Sequence, residues 1–144
     1  MPSWARDLLD EQRVARLAFL DDAEHPRVLP VTFAVAEGAV WSAVDDKPKR
    51  TPEPARLRYL RHRPRAALCI DRYADDWGQL AWVQLLGVVD LLEPAKAPAG
   101  MAALAARYEP YRQRRPPGPL LRFRPERSLW WRADEEPGGD APLP

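Results

Sequence analysis

The chain has 144 residues and a mass of 16.4 kDa, with 46% hydrophobic and 30% charged residues, which suits one soluble globular domain with its own core. A formal net charge of +1 argues against broad electrostatic attraction to nucleic acid or to a membrane surface. The single cysteine, Cys69, excludes an intrachain disulfide, and its apolar setting (Ala66-Ala67-Leu68-Cys69-Ile70) predicts a buried, inert thiol.

The opening Met-Pro-Ser-Trp-Ala-Arg-Asp lacks an apolar signal region, and no run reaches transmembrane length, so a cytoplasmic protein is the expectation. Ser3 is placed to cap a first helix with Trp4, Leu8 and Leu9 on one face. Arg16–Leu20 reads as a strand, and Asp21 to Pro26 as the turn after it. Arg27–Ala36 reads as a second strand rich in β-branched residues, in which Pro30 implies an edge or a bulge. Glu37-Gly38 is a tight hairpin turn into a third strand, Ala39–Val44.

That third strand runs into Asp45-Asp46-Lys47-Pro48-Lys49-Arg50, a turn with three cations among four residues and two of the chain's three lysines. A compact basic cluster at a strand end suits phosphate or another small anion. The alternative is a solvated loop whose cations are balanced by Asp45 and Asp46. Beyond it, Glu53–His62 reads as a short helix with Leu57 and Leu60 inward, then Arg65–Tyr73 as a fourth strand. Leu80–Glu93 is a long fifth strand in which Gly87 marks a bulge or a barrel corner. Ala97–Tyr108 is alanine-rich and helical, and Pro110–Pro119 an irregular basic crossing. Leu120–Arg124 and Leu129–Arg132 close the sheet as one bent strand or a pair. Residues 1–133 then form the domain, and residues 134–144, poor in apolar side chains, are expected to be a disordered tail.

Strands without βαβ alternation, plus short inserted helices, define a mainly β (α+β) class: a small antiparallel barrel of about six strands with peripheral helices. No GxSxG, P-loop or GxGxxG motif is present, and His25 and His62 have no metal-ligand partners at a suitable spacing. The aspartate pairs sit in turns, where backbone geometry explains them. No catalytic side chain and no metal site are therefore assigned, and any redox chemistry would belong to a bound cofactor.

The order RLAFLDDAEHPRVLPVTFAV, EGAVWSAVDDKPKR, PRAALCIDRY and LAWVQLLGVVDLLEP resembles the pyridoxamine 5'-phosphate oxidase-like flavin-binding split-barrel family. Within it, the strand–turn Val40 to Arg50 and the loop Asp71 to Trp77 are most similar to members that use the deazaflavin coenzyme F420. The resemblance implies a six-stranded split barrel of the FMN-binding type, acting as a homodimer with cofactor sites at the subunit interface. It implies that Pro30, Val31, Thr32 and Phe33 line the ring, and that Ser42, Ala43 and Val44 contact the ring and its ribityl chain. Lys47, Lys49 and Arg50 would hold the phosphate, Trp82 would reach the cofactor across the dimer, and Trp77 would cover the ring. Val31 and Phe33 could instead be core, and Trp77 or Trp82 interface anchors; Trp130 and Trp131 fit interface or core better than site. The implied function is an oxidoreductase passing a hydride between coenzyme F420, or alternatively FMN, and a small-molecule substrate, with neither nucleic acid nor membrane as partner. A flavin or haem carrier or sensor without turnover is the rival reading. A single-strand nucleic-acid binder of the OB type is a third, opposed by the near-zero net charge.

Overall fold

The computed structural model describes residues 1–44 and 53–144. The first helix, α1 (Ser3–Glu11), buries Ala5, Leu8 and Leu9 on one face. Ser3 does not cap it. Pro2, in extended conformation, precedes the helix, and its carbonyl accepts the Ala5 and Arg6 N–H groups. Strand β1 (Ala15–Leu20) alternates inward Ala15, Leu17 and Phe19 with outward residues. It forms a hairpin with β2 (Pro26–Val31). Asp21 fixes the turn by accepting the N–H groups of Ala23 and His25, both at 2.9 Å.

The second strand expected from the sequence is split. After β2 come Thr32 and Phe33, outside either strand, and then β3 (Ala34–Ala36). β3 pairs with β4 (Ala39–Ala43) through Glu37-Gly38, whose φ values of 53° and 70° define the twist-matched hairpin turn. Next are α2 (Ala55–His62), β5 (Arg65–Arg72), β6 (Ala81–Leu92), α3 (Pro98–Arg107), α4 (Glu109–Gln113) and β7 (Leu120–Arg132). The expected irregular crossing thus begins as a short helix. The C-terminal strand pair is one continuous strand.

The sheet order is β2-β1-β5-β6-β7-β4-β3, antiparallel at every pairing. Its two outer strands, β2 and β3, are consecutive in sequence and joined only by Thr32 and Phe33. The sheet therefore curls until its edges meet at those two residues, forming a barrel closed by chain continuity where ladder bonds are missing. Counting β2 and β3 as one interrupted strand, this path holds the six expected, with a further two-residue strand pairing with β7 off it. Gly87 permits the curvature: the β6–β7 register shifts between Leu86 and Gly87, and a Cβ there would strike the Arg124 carbonyl oxygen.

The barrel interior holds Leu17, Phe33, Val40, Leu68, Ile70, Val83, Leu85 and Phe123, with α1 and α2 (Leu57, Leu60) closing its ends. A second core lies outside the barrel, where α3 and α4 pack Met101, Leu104 and Tyr111 on Trp41 and Leu120. Gly100 is required at that contact, because any side chain would enter the Trp41 ring. The segment expected as a disordered tail packs on β7 instead. Its Gly138–Gly139 forms β8 against Leu129 and Trp130, and Leu143 is 8% exposed within the main core. Ser128 explains the docking, since its buried hydroxyl donates to the Ala141 carbonyl at 2.7 Å and accepts the Ala141 N–H at 3.0 Å. Among the described residues no helix is long and apolar enough to cross a membrane.

Candidate functional site

The seam between β2 and β3 is the first place where several expected site residues meet. Thr32 and Phe33 lack ladder partners, and side chains from other elements satisfy their backbone groups. Ser42 on β4 donates its hydroxyl to the Thr32 carbonyl at 2.6 Å. Tyr108, just after α3, accepts the Phe33 N–H at 3.0 Å and lies 2.8 Å from the Phe33 carbonyl. Tyr111 on α4 meets the Thr32 hydroxyl at 2.7 Å. Tyr108 and Tyr111 were not singled out by sequence. Their signal is a tyrosine pair three residues apart beyond the alanine-rich helix, close enough to stack edge to face at 5.7 Å.

This geometry refines the expected roles. Phe33 is fully buried in the barrel core, and Val31, partly buried, packs against that core. Ser42, Ala43 and Val44 are buried, with the Ser42 hydroxyl committed to Thr32. The void beside Ser42, Val31 and Phe33 measures about 10 Å³, room for a water and no more. Of the expected ring-wall residues, Pro30 is exposed, Val31 and Thr32 are partly so, and Phe33 is buried. Lys47, Lys49 and Arg50 lie outside the described residues.

At the start of α2, Arg56 carries a buried Nε with no hydrogen-bond partner. No side chain caps this helix end, and no acidic residue occupies its first turn. A cation and a helix N-terminus together favour an anion there. Arg58 and Arg61 on the same helix are already engaged, with Asp22 at 3.3 Å and with Glu53.

The tryptophans lie elsewhere. By register, Trp82 on β6 faces outward between Asp71 on β5 and Trp131 on β7, opposite to the inward Val83 and Ile70. The same outward face carries Ala18, Ala67, Cys69, Leu86 and Leu129, and ends at Val28, 62% exposed, on the edge strand. Arg16 and Asp71 pair across it at 3.4 Å. Burial raises the Cys69 thiol above its ordinary value, and the nearby Asp71 adds to this. Trp77 begins a single 3-10 turn in the β5–β6 loop, where Asp76 accepts the Gly78 N–H at 3.0 Å. It is 69% exposed and Tyr73 70%, so this loop presents two aromatic faces to solvent. The side-chain hydrogen bonds at the seam come from Ser42, Tyr108 and Tyr111 and from neither tryptophan.

Two further groups define the electrostatics. Asp90 on β6 is bound by Arg124 and Arg122 of β7, which hold its carboxyl below the usual range. His62 stands 3.2 Å from Asp22 through Nδ1, and His25 is 3.9 Å from Asp21. Among the described residues no cluster of three His, Cys, Asp or Glu is placed to hold a metal ion.

A mainly antiparallel sheet wrapped into a barrel closed at a seam, with a broad apolar outward face, defines the class of flavin-binding-type split barrels. The chain belongs to the pyridoxamine 5'-phosphate oxidase family, whose model matches residues 1–132. Among solved structures it is similar to a heme binding protein from Mycobacterium smegmatis, at 23% identity and a TM-score of 0.76, covering 97% of this chain and 58% of that one. A FAD-binding protein from Mesorhizobium loti is similar at 16% identity and a TM-score of 0.65, over 90% of this chain and 94% of that one. The heme storage protein HutZ from Vibrio cholerae is similar at 14% identity and 0.66, over 95% and 91%. At these identities the likenesses establish the fold. No curated protein sequence matches the chain.

Proposed function

We propose that this protein is an oxidoreductase that binds a flavin-type cofactor, coenzyme F420 in preference to FMN, in a groove formed with a second copy of the chain. The observation that carries the reading is Arg56: a guanidinium with an unsatisfied buried Nε at an uncapped helix start, close in sequence to Lys47, Lys49 and Arg50. Those four cations would hold the phosphate. Exposed Pro30 and partly exposed Thr32 at the seam would meet one part of the ring, and Trp82 and Trp77 of the second copy would supply aromatic cover. When bound, the cofactor supplies hydride transfer to or from a small organic substrate, and the chain supplies binding, orientation and exclusion of water.

The test is to incubate the purified protein separately with F420 and FMN, desalt it, and record the absorption spectrum. Retention of at least one cofactor is expected, with Lys49→Ala, Arg50→Ala and Arg56→Ala each weakening it about tenfold. Retention of neither, or retention indifferent to all three substitutions, overturns the reading. Reoxidation of the reduced, bound cofactor that depends on added substrate separates an enzyme from a carrier.

A second reading, a haem carrier without turnover, is favoured by His62. Asp22 stands 3.2 Å from its Nδ1, a carboxylate–histidine pairing of the kind that would orient a histidine to hold a metal. A haem absorption band that His62→Ala abolishes supports it; haem uptake indifferent to that substitution removes it.

A further inference from the structure

Arg107, at the end of α3, has no carboxylate partner among the described residues. Its guanidinium lies 4.7 Å above the Phe33 ring and 5.9 Å from the Tyr108 ring centroid. One Nη donates to the Gln12 carbonyl, while Nε is buried and unbonded. Arg13, from the α1–β1 connection, approaches the same Tyr108 ring at 5.8 Å and donates to the Arg107 carbonyl at 2.8 Å. Two cations thus share one aromatic ring. Among the described residues neither joins an ion pair, whereas Arg16, Arg72 and Arg122 on the barrel each face a carboxylate. A half-buried guanidinium with an unbonded, buried N–H, as at Arg107, costs free energy unless an anion joins it. The spare N–H donors of two guanidinium groups match the two oxygens of a carboxylate.

We propose that Arg107 and Arg13 form a carboxylate-binding site at the barrel seam. Phe33, beneath Arg107, adjoins Thr32, so an acid held here lies beside the residues assigned to the cofactor ring. The inference rests on the proposed function for that neighbour, while the site itself follows from the two arginines. The carboxylate could belong to an organic-acid substrate or to the glutamyl tail of F420.

Calorimetric titration of the full chain with benzoate tests the site. Saturable binding is expected, weakened about tenfold or more by Arg107→Gln and by Arg13→Gln, with Arg107→Lys in between. Circular dichroism establishes that each variant is folded. Should Arg107→Gln not fold, the exposed Arg13→Gln decides. No saturable binding, or binding unchanged in Arg13→Gln, overturns the proposal. If tailed F420 displaces benzoate while the tail-less deazaflavin does not, the carboxylate is the cofactor's; if neither displaces it, the site serves the substrate. Benzoate binding in a protein that takes up no flavin or deazaflavin sinks the proposed function and leaves the site standing.

Discussion

Ser42 and Asp21 each tie down a place where the strand ladder gives out, and each carries a measurable consequence. The Ser42 hydroxyl is the partner of a carbonyl at the seam, in a buried setting. Ser42→Ala leaves that carbonyl unsatisfied and costs about 1–2 kcal/mol, read as a lower urea midpoint at unchanged slope. Asp21 accepts two backbone N–H groups in the β1–β2 turn, and the His25 N–H is the largest cause holding its carboxyl below the ordinary range. A lowered folded pKa means that the carboxylate stabilises the fold above its unfolded value, about 4, and that this is lost as pH falls through the folded value. Asp90, Asp140 and Glu135 are lowered too, each first by an arginine: Arg124, Arg127 and Arg132. Stability should therefore be flat near neutrality and fall in acid below about pH 4, with a shallower fall in Asp21→Asn. A melting series from pH 7 to about pH 2.5 checks this, and an identical acid limb in the variant contradicts it.

Elements were legible wherever a period or a turn residue declared them. β1 and β6 alternate between buried and more exposed positions, Glu37-Gly38 turns as its residues require, and Gly87 sits at the register shift. What escaped was held by contacts that leave no local pattern. The break at Thr32-Phe33 lies inside a run whose composition favours a strand throughout; it exists because the barrel must close there, and distant Tyr108 and Tyr111 satisfy it. The tail has little apolar content, yet one serine hydroxyl, two glycines that fit against Trp130 and Ser128, and a single leucine dock it. Of the candidate site, Thr32 and Ser42 prove to be hydrogen-bonded to each other, but the burial of Phe33 and Ser42 depends on register that one sequence does not fix. Two predictions belong here. Gly87→Ala forces its methyl group on the Arg124 carbonyl and costs about 1–3 kcal/mol. Truncation after residue 136 removes β8 and Leu143, costing about 2 kcal/mol from the lost leucine burial alone. Thermal melts read both, and an unchanged midpoint on truncation would mean that the docked tail adds nothing to the fold.

At the scale of the molecule, the question is what covers the outward face of β1, β5, β6 and β7. Its centre is Ala18, Ala67, Cys69, Leu86 and Trp82, and its charges, Arg16 and Asp71, neutralise each other. α3 covers the outward face of β3 and β4, but no helix of the described chain covers this one. A second copy is the occupant the proposed function needs, and a stable pair buries about 800 Å² on each partner. Cys69, in the middle of the face, is a built-in reporter: its raised pKa already slows alkylation, and pairing would shield it further. Leu86→Arg and Trp82→Arg each set a charge on the face without touching the barrel interior, so the chain should still fold. Wild-type protein is expected to sediment at twice the chain mass with Cys69 almost inert to iodoacetamide. Either variant should sediment as a single chain, melt cooperatively and react at Cys69 about tenfold faster or more, since burying an unpaired charge at the contact opposes pairing by several kcal/mol. A wild-type monomer at micromolar concentration, or variants that remain paired, would place the second copy elsewhere and deprive Trp82 of its proposed part in the cofactor groove.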